Sequence, residues 1–257
     1  MIKMIVMDLD GTLLNSEKNV SDYSVSILNE CKNMGIKIVI ATARAEKQAI
    51  RCINLIKPDY MILNGGSLVL NKDKKIIYEK YLQINISDGI LNELKMNKNI
   101  GVITIETITN YYVSQENVKW HNDFMYGIYY NFQKPLSERT YKITVETPNK
   151  KIIKNLEKKY QEIQIIEFSG DNWYGIYHKE ASKLLAIKAI ISETNIPMKN
   201  IISFGDDFND IEMIAKCGIG IAMDNGIEEI KKNADFICGS NNQDGVAKWL
   251  EMNILTL

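Results

Sequence analysis

The carboxylates best placed for chemistry follow two short apolar segments, one near each end of the chain. Asp8 and Asp10 come directly after residues 2–7, and a second acidic group follows residues 200–204. That second group consists of Asp206, Asp207 and Asp210. Carboxylates that converge repel one another unless a cation lies among them, and oxygen ligands of this kind favour Mg²⁺ over zinc. The pattern therefore predicts a magnesium site, and a histidine-based site is not expected.

A carboxylate on a metal ion, with a second carboxylate two residues further along, suits the transfer of a phosphoryl group. One carboxylate can attack phosphorus and form an aspartyl-phosphate. The other can protonate the leaving oxygen and then activate water. The charge on the phosphate oxygens needs further donors, for which Thr42 and Lys183 are the candidates. The same residues also have ordinary structural explanations, which are a helix cap or turn for Asp8 and Asp10, a helix cap for Thr42 and a solvated side chain for Lys183.

The segments that carry these residues are typical of a parallel α/β sheet. Residues 2–7, 36–41 and 59–63 are short and apolar, as buried parallel strands are. A helix is predicted between the first two of them, with Ser21 as its N-cap and Gly35 as its stop signal. Because ligands bind at the carboxyl ends of such strands, side chains far apart in sequence are expected to meet there.

The pattern changes in the middle of the chain and then returns. After a predicted hairpin, short strands alternate with helices, one of which is expected to begin near Gly89. From about residue 181 onward, helices and short apolar strands alternate as they do at the start. We therefore predict an α/β core formed by residues 1–82 and 181–257, into which an α+β domain of residues 83–180 is inserted.

Composition and charge exclude several classes of protein. Hydrophobic residues make up 46% of the chain and charged residues 25%, which is typical of a globular protein and not of a disordered or disulfide-rich one. The 31 Lys+Arg and 32 Asp+Glu give a formal charge of -1, so nucleic acid is not an expected partner. The four cysteines are not spaced as CxxC and are expected to be free thiols. With no signal peptide and no apolar run near the ~20 residues of a membrane span, we expect a cytoplasmic protein without a membrane partner.

Four motifs resemble those of the haloacid dehalogenase (HAD) superfamily. They occur in the family's order, as Asp8-Leu9-Asp10-Gly11-Thr12, Ala41-Thr42-Ala43-Arg44, Ala181-Ser182-Lys183 and Gly205-Asp206-Asp207-Phe208-Asn209-Asp210. The long insert between the second and third motifs is similar to the cap of the type IIB, or Cof-like, phosphatases. The resemblance implies a three-layer, Rossmann-like parallel-sheet core, with the first strand between the second and fourth, and an inserted cap of the C2B type.

The resemblance also implies a role for each motif residue. Asp8 is expected to be the nucleophile and Asp10 the general acid/base, with Mg²⁺ as the cofactor. The implied metal ligands are Asp8, Asp206 and the backbone carbonyl of Asp10, while Asp207 and Asp210 act through metal-bound water. The implied phosphate contacts are the side chains of Thr42, Lys183 and Asn209 and the backbone N–H groups of Leu9, Asp10 and Ala43.

These roles predict Mg²⁺-dependent hydrolysis of a small phosphomonoester, a phosphorylated metabolite. A sugar phosphomutase and a non-catalytic phosphate-sensing protein are the alternatives. The insert is expected to act as a cap that selects the leaving group, and the sequence fixes neither the substrate nor the oligomeric state. Also open are the roles of Arg44 and Asn64 and whether the aromatic residues Trp173, Tyr174 and Tyr177 contact the substrate.

Overall fold

A computed structural model describes residues 1–115, 127–168 and 172–256. The chain forms two compact units, a core unit of Met1–Glu79 with Ser182–Leu257 and an inserted unit of Lys80–Ala181. None of the helices in the described part of the chain combines the length and the apolar character that a membrane-spanning helix needs.

The core unit is built on an eight-stranded sheet. Its strands, numbered in chain order through both units, are β1 (Met4–Met7), β2 (Lys37–Ala41), β3 (Tyr60–Leu63), β4 (Leu68–Asn71), β5 (Ile76–Glu79), β12 (Ile201–Gly205), β13 (Ile219–Met223) and β14 (Phe236–Cys238). Their order is β14-β13-β12-β1-β2-β3-β4-β5. The first six in this order are parallel, and β4 and β5 form an antiparallel hairpin at the edge. The strand β1, which Asp8 directly follows, therefore lies near the centre of the sheet, between the two strands that carry the second and fourth motifs.

Helices cover both faces of this sheet. They are α1 (Asp22–Asn33), α2 (Glu46–Ile56), α5 (Lys183–Thr194), α6 (Ile211–Lys216), α7 (Glu228–Asn233) and α8 (Gly245–Leu250). Apolar side chains of α5, α6 and α7 pack with Val6 and Val39 on one face. Since successive strand residues point to opposite faces, Ile5 and Ile38 point to the other face, where α1 contacts β2 and α8 contacts β14. The core thus has three layers.

The inserted unit has a sheet and an apolar core of its own. Its strands are β6 (Ile103–Thr107), β7 (Tyr111–Val113), β8 (Ile128–Tyr129), β9 (Thr140–Glu146), β10 (Ile163–Glu167) and β11 (Trp173–His178), in the order β10-β11-β9-β6-β7-β8. Two helices, α3 (Ile84–Lys95) and α4 (Lys150–Lys159), pack on one face of this sheet. Residues such as Leu91, Leu156 and Ile143 form the apolar core between them.

The structure confirms the predicted fold class and the central place of the first strand. It also confirms the first helix, whose N-cap Ser21 accepts a hydrogen bond from the Ser24 N–H at 3.0 Å. The predicted start of α3 near Gly89 is wrong, because the helix begins five residues earlier, at Ile84. Gly89 lies inside the helix, at a point where a Cβ would come 2.6 Å from the Tyr160 hydroxyl. This glycine makes room for packing and does not mark a helix end.

Candidate active site

The first motif forms a tight turn at the carboxyl end of β1. Asp8 directly follows the strand and is buried, and its N–H donates to the Phe204 carbonyl of β12 at 3.1 Å. At Gly11 the backbone φ is 78°, and a Cβ there would lie 2.2 Å from Asp206 Oδ2. Glycine is therefore required for the turn to approach the fourth motif so closely.

Three carboxylates meet at this edge of the sheet. Carboxylate oxygens of Asp8, Asp206 and Asp210 lie within 4.8 Å of one another. Lys183, only 1% exposed, donates from Nζ to Asp8 Oδ1 and to Asp210 Oδ1, each at 2.6 Å. Thr12 Oγ1 donates to Asp206 Oδ1 at 2.6 Å. The structure thus brings together residues of the first, third and fourth motifs, and the explanation of Lys183 as a solvated lysine is wrong.

The cluster holds more negative charge than one lysine neutralises. Burial raises the pKa of Asp8 well above its usual value; the charge of Lys183 opposes this rise, and those of Asp210 and Asp206 add to it. Burial also raises the pKa of Asp206 to about 7, against the hydrogen bond from Thr12. Burial alone would lower the pKa of Lys183, but the charges of Asp210 and Asp8 outweigh it and raise that pKa. A cation beside Asp8 and Asp206 would stabilise both ionised carboxylates, so these residues fit a metal ion.

Asp210 and Asp207 have local partners that suit them to supporting roles. Asp210 Oδ1 accepts from Lys183, and Oδ2 accepts from the N–H groups of Asp206 at 3.2 Å and Asp207 at 3.4 Å. Asp207 Oδ1 accepts from the Phe208 N–H at 2.8 Å, which begins the 3₁₀ turn that carries Asn209. Asp210 therefore fixes Lys183 and the turn after β12, with both of its oxygens already engaged.

Thr42 lies at the carboxyl end of β2, beside the strand that precedes Asp8. It is buried, its N–H donates to the Ile62 carbonyl at 2.8 Å, and its carbonyl accepts from the Gly65 N–H at 3.0 Å. Its Oγ1 accepts from the Arg44 N–H at 3.1 Å. The N-cap of α2 is Ala45, so the explanation of Thr42 as a helix cap is wrong. Ala43 follows Thr42 at the same edge of the sheet.

Two cations hold the side chain of Asp10. Arg44 donates from Nε to Asp10 Oδ2 and from Nη2 to Oδ1, both at 2.7 Å. Lys18 Nζ donates to Oδ1, also at 2.7 Å. Burial acts to raise the pKa of Asp10, but the hydrogen bonds and charge of Arg44, and then those of Lys18, outweigh it and lower this pKa to about 2. The sequence left the role of Arg44 open and gave no signal for Lys18.

The comparison with protein families accounts for this arrangement. Residues 5–250 match a family model described as haloacid dehalogenase-like hydrolase, and that match spans nearly the whole chain. This chain belongs to the HAD-like hydrolases. A relative from Bacillus subtilis, a 5-amino-6-(5-phospho-D-ribitylamino)uracil phosphatase, is 27% identical over 96% of this chain and 94% of its own. The chain is a HAD-superfamily phosphatase, as the motifs indicated.

Two solved structures show that the fold of this HAD phosphatase is shared along its whole length. A haloacid dehalogenase-like hydrolase from Bacteroides thetaiotaomicron aligns with a TM-score of 0.81 at 23% identity, over 98% of this chain and 99% of the other. A HAD subclass IIB sugar phosphatase aligns with a TM-score of 0.83 at 23% identity, over 97% and 98%. These two likenesses show the shared fold, and the resemblance to the HAD superfamily is confirmed by the family model.

The turn Asn64-Gly65-Gly66 lies against two motifs of the HAD phosphatase. The Asn64 N–H donates to the Arg44 carbonyl at 2.9 Å, and the buried Asn64 Oδ1 has no hydrogen-bond partner in the described part of the chain. At Gly66, two residues on, a Cβ would lie 2.2 Å from the Ser182 carbonyl carbon. The Asn-Gly-Gly turn therefore packs directly against the start of the helix that carries Lys183.

The aromatic residues of β11 divide between the two faces of the inserted unit's sheet. Tyr174 and Ile176 belong to that unit's apolar core. Trp173 and Tyr177 alternate onto the opposite face, where Tyr177 is fully buried. Tyr174 is therefore a packing residue, and of the three only Trp173 and Tyr177 keep a substrate contact as a hypothesis.

The sequence did not predict two asparagines that hydrogen-bond to the turn of the first motif. Asn225 Nδ2 donates to the Gly11 carbonyl at 2.8 Å, and Asn225 Oδ1 accepts from the Asn241 N–H at 2.9 Å. Asn241 Nδ2 also donates to the Leu14 carbonyl at 2.8 Å. The signal that could have found Asn225 is its position, since it follows the carboxyl end of β13 at the same edge of the sheet as Asp8 and Asp206.

Proposed function

We propose that this HAD phosphatase hydrolyses a small phosphomonoester with the help of Mg²⁺, through a phosphoryl group carried on Asp8. The observation that carries the proposal is the environment of the Asp8 carboxylate. It is buried at the carboxyl end of the central strand and held by Lys183, within 4.8 Å of carboxylate oxygens of Asp206 and Asp210. A carboxylate that is fixed in this way is an oriented nucleophile.

In the first step, an Asp8 oxygen bonds to phosphorus while the bond from phosphorus to the leaving oxygen breaks. Asp10 gives its proton to that leaving oxygen. Lys183 and Thr42 hold the other phosphate oxygens and stabilise their charge. Further support is assigned to the Asn209 side chain and to the backbone N–H groups of Leu9, Asp10 and Ala43.

In the second step, the ionised Asp10 takes a proton from water as the water oxygen bonds to phosphorus. The bond between phosphorus and the Asp8 oxygen breaks, which releases inorganic phosphate and restores the Asp8 carboxylate. Arg44 and Lys18 lower the pKa of Asp10 to about 2, so the base form that this step needs is the resting form, and the acid form of the first step depends on the negative charge of the bound phosphate, which favours protonation.

A magnesium ion, when bound, neutralises charge on the phosphate. We assign its direct ligands to Asp8, Asp206 and the backbone carbonyl of Asp10, with Asp207 and Asp210 acting through water. The fit rests on the oxygen donors at one edge of the sheet and on the raised pKa of both Asp8 and Asp206, which a neighbouring cation would lower.

The proposed substrate is a small phosphorylated metabolite. Since one relative is a 5-amino-6-(5-phospho-D-ribitylamino)uracil phosphatase and one similar structure is a sugar phosphatase, we include both substrate classes in the panel to be tested, together with nucleotides, flavin mononucleotide and pyridoxal phosphate. We also propose that residues 83–180 form the cap domain and choose among leaving groups. Trp173→Ala should then change the ranking of substrates by kcat/KM while the Mg²⁺ requirement stays. An unchanged ranking in a folded variant would argue against this role for Trp173.

Phosphate release from that panel tests the proposed function. EDTA should abolish the release and added Mg²⁺ should restore it, and Asp8→Asn should lower turnover by several orders of magnitude. Asp73→Asn is the matched control, because it removes an exposed carboxylate from the β4–β5 turn, outside the site. Full activity in EDTA, or in Asp8→Asn, is incompatible with the proposal.

A further inference from the structure

Arg44 is held at several points beside the site, yet none of the roles proposed above uses it. Its N–H donates to Thr42 Oγ1 at 3.1 Å, and its carbonyl accepts from the Asn64 N–H at 2.9 Å. Its Nη1 donates to the Gln48 carbonyl in the first turn of α2 at 3.2 Å. Backbone and guanidinium are thus both anchored to rigid elements of the core unit, so the guanidinium has a fixed position.

The contact that this guanidinium makes with Asp10 is bidentate. Nε and Nη2 each donate to a different oxygen of the carboxylate at 2.7 Å. Two parallel bonds of this kind fix the plane of a carboxylate as well as its distance. Lys18 makes a single contact, to Oδ1, from a side chain that is 53% exposed, whereas the Arg44 side chain is 16% exposed. Arg44 is therefore the cation that can set the orientation of Asp10.

Asp10 needs such a partner because of where it lies. It sits in the turn after β1 with a side chain that is 38% exposed, and a partly exposed aspartate otherwise populates several rotamers. Proton transfer to a leaving oxygen requires hydrogen-bond reach and a defined direction. A general acid that samples several rotamers spends only part of its time in the reactive one.

We propose that Arg44 is the positioning residue for Asp10, and that its bidentate contact fixes the carboxylate in the orientation from which the proton is given and taken. This inference rests on the function proposed above, in which Asp10 is the general acid/base. The same contact would have different consequences in two other roles. An ordinary surface ion pair would contribute little to stability and nothing to the chemistry, and a latch that keeps Asp10 away from the reaction would slow the enzyme.

The test compares Arg44→Met and Arg44→Lys in the wild type and in Asp10→Asn. The two substrates are p-nitrophenyl phosphate and phenyl phosphate, which have similar shapes, but phenolate is the poorer leaving group and depends more on protonation. Arg51→Met is the control, because Arg51 is an exposed arginine of α2. Thermal melting of every variant reports whether the fold is kept.

Arg44→Met should lower kcat/KM for phenyl phosphate by about 10- to 100-fold, the range that a misplaced catalytic group produces. The loss of kcat/KM for p-nitrophenyl phosphate should be smaller. For phenyl phosphate, kcat/KM of Arg44→Lys should lie between the values of Arg44→Met and the wild type. In the Asp10→Asn background, Arg44→Met should have less than about a twofold further effect, since the group that it positions is already gone. Arg51→Met should change neither substrate.

Three results would overturn the inference. They are an equal loss in both backgrounds, an unchanged rate in Arg44→Met, and a faster rate in Arg44→Met. If thermal melting shows that Arg44→Met has lost its fold, Arg44→Lys, which keeps the charge, is compared in the two backgrounds by the same criteria. If Asp10→Asn itself left phenyl phosphate hydrolysis unchanged, the proposed role of Asp10 would fail, and the inference about Arg44 would fail with it. That outcome differs from one in which Asp10→Asn slows the reaction but Arg44→Met has the same effect in both backgrounds, which would refute only the inference about Arg44.

Discussion

Replacing Lys183 by methionine should destabilise the core unit in a way that depends on pH. The ammonium group of Lys183 is buried and bonds to Asp8 and Asp210. Methionine extends as far as the Cε position and removes the charged Nζ. Breaking a buried ion pair by removing one partner typically lowers stability by about 3–5 kcal/mol. In the variant, one of the buried aspartates can instead take up a proton, which removes the unpaired buried charge.

The cost of this protonation sets both the upper limit and the pH dependence of the loss of stability. Protonating an aspartate of ordinary pKa costs about 1.4 kcal/mol per pH unit above ~3.9, or about 5 kcal/mol at pH 7.5 and about 2 kcal/mol at pH 5.5. In the variant, the folded state binds a proton that the unfolded state releases, so its stability falls as pH rises. Asp206, whose pKa is about 7 in the wild type, takes up a proton in both proteins, so the loss relative to wild type should reflect the additional proton and be about 3–5 kcal/mol at pH 7.5 and about 2 kcal/mol at pH 5.5.

Denaturant unfolding in EDTA at the two pH values measures this difference. Lys188→Met is the control, because Lys188 is an exposed lysine of the same helix, α5, and its replacement should change stability by less than about 0.5 kcal/mol. Added Mg²⁺ should recover part of the loss in Lys183→Met, since a cation on the folded state alone stabilises it. A loss below about 1 kcal/mol at pH 7.5, or one that does not change with pH, would refute the reasoning.

Three further predictions concern other parts of the chain. Gly11→Ala should weaken Mg²⁺ binding by calorimetry and lower stability, because a Cβ there would meet Asp206 Oδ2 at 2.2 Å on a backbone with φ of 78°; unchanged affinity would contradict this. Burial acts to raise the pKa of Glu138, but hydrogen bonds from Thr107 and neighbouring residues outweigh it and lower this pKa to about 2. The stability that the ionised Glu138 adds is present above pH ~4.5 and is lost as pH falls towards 2. The difference in free energy of unfolding between wild type and Glu138→Gln should therefore become smaller from pH 6 to pH 3. A difference that stays constant would contradict this prediction. Burial raises the pKa of the Cys31 and Cys217 thiols to about 11, so iodoacetamide at pH 8 should label them only after unfolding; fast labelling of the native protein would disprove this.

The sequence was enough to predict the parts of the site that depend on strand order. Asp8 and Asp206 both follow buried parallel strands, and the carboxyl ends of such strands meet at one edge of a sheet. The convergence of these residues therefore follows from local patterns and topology. The N-cap at Ser21 was predictable for a similar reason, since a capping hydrogen bond reaches only three residues along the chain.

The rest could not be predicted because it depends on packing and on side-chain direction. Gly89 looks like a helix boundary until the hydroxyl of Tyr160, 71 residues later, is seen to occupy the space beside it. The spacing of Arg44 from Thr42 places it near the site but does not say whether its guanidinium points to solvent, to a substrate or to Asp10. That direction is set by contacts with Gln48 and with Asp10 itself, and a single sequence does not encode them in any local pattern.

The central claim is that Asp8 carries the phosphoryl group, and trapping the intermediate tests it most directly. The enzyme is mixed with Mg²⁺ and p-nitrophenyl phosphate, quenched in acid during turnover, digested, and analysed by mass spectrometry for a phosphorylated aspartate. The Asp10→Asn variant serves as a second sample, because slow proton abstraction from water should let the intermediate accumulate. We expect phosphate on Asp8 in both samples and none in Asp8→Asn. Phosphate on Asp10, or on any residue other than Asp8, would contradict the role of Asp8 as the nucleophile.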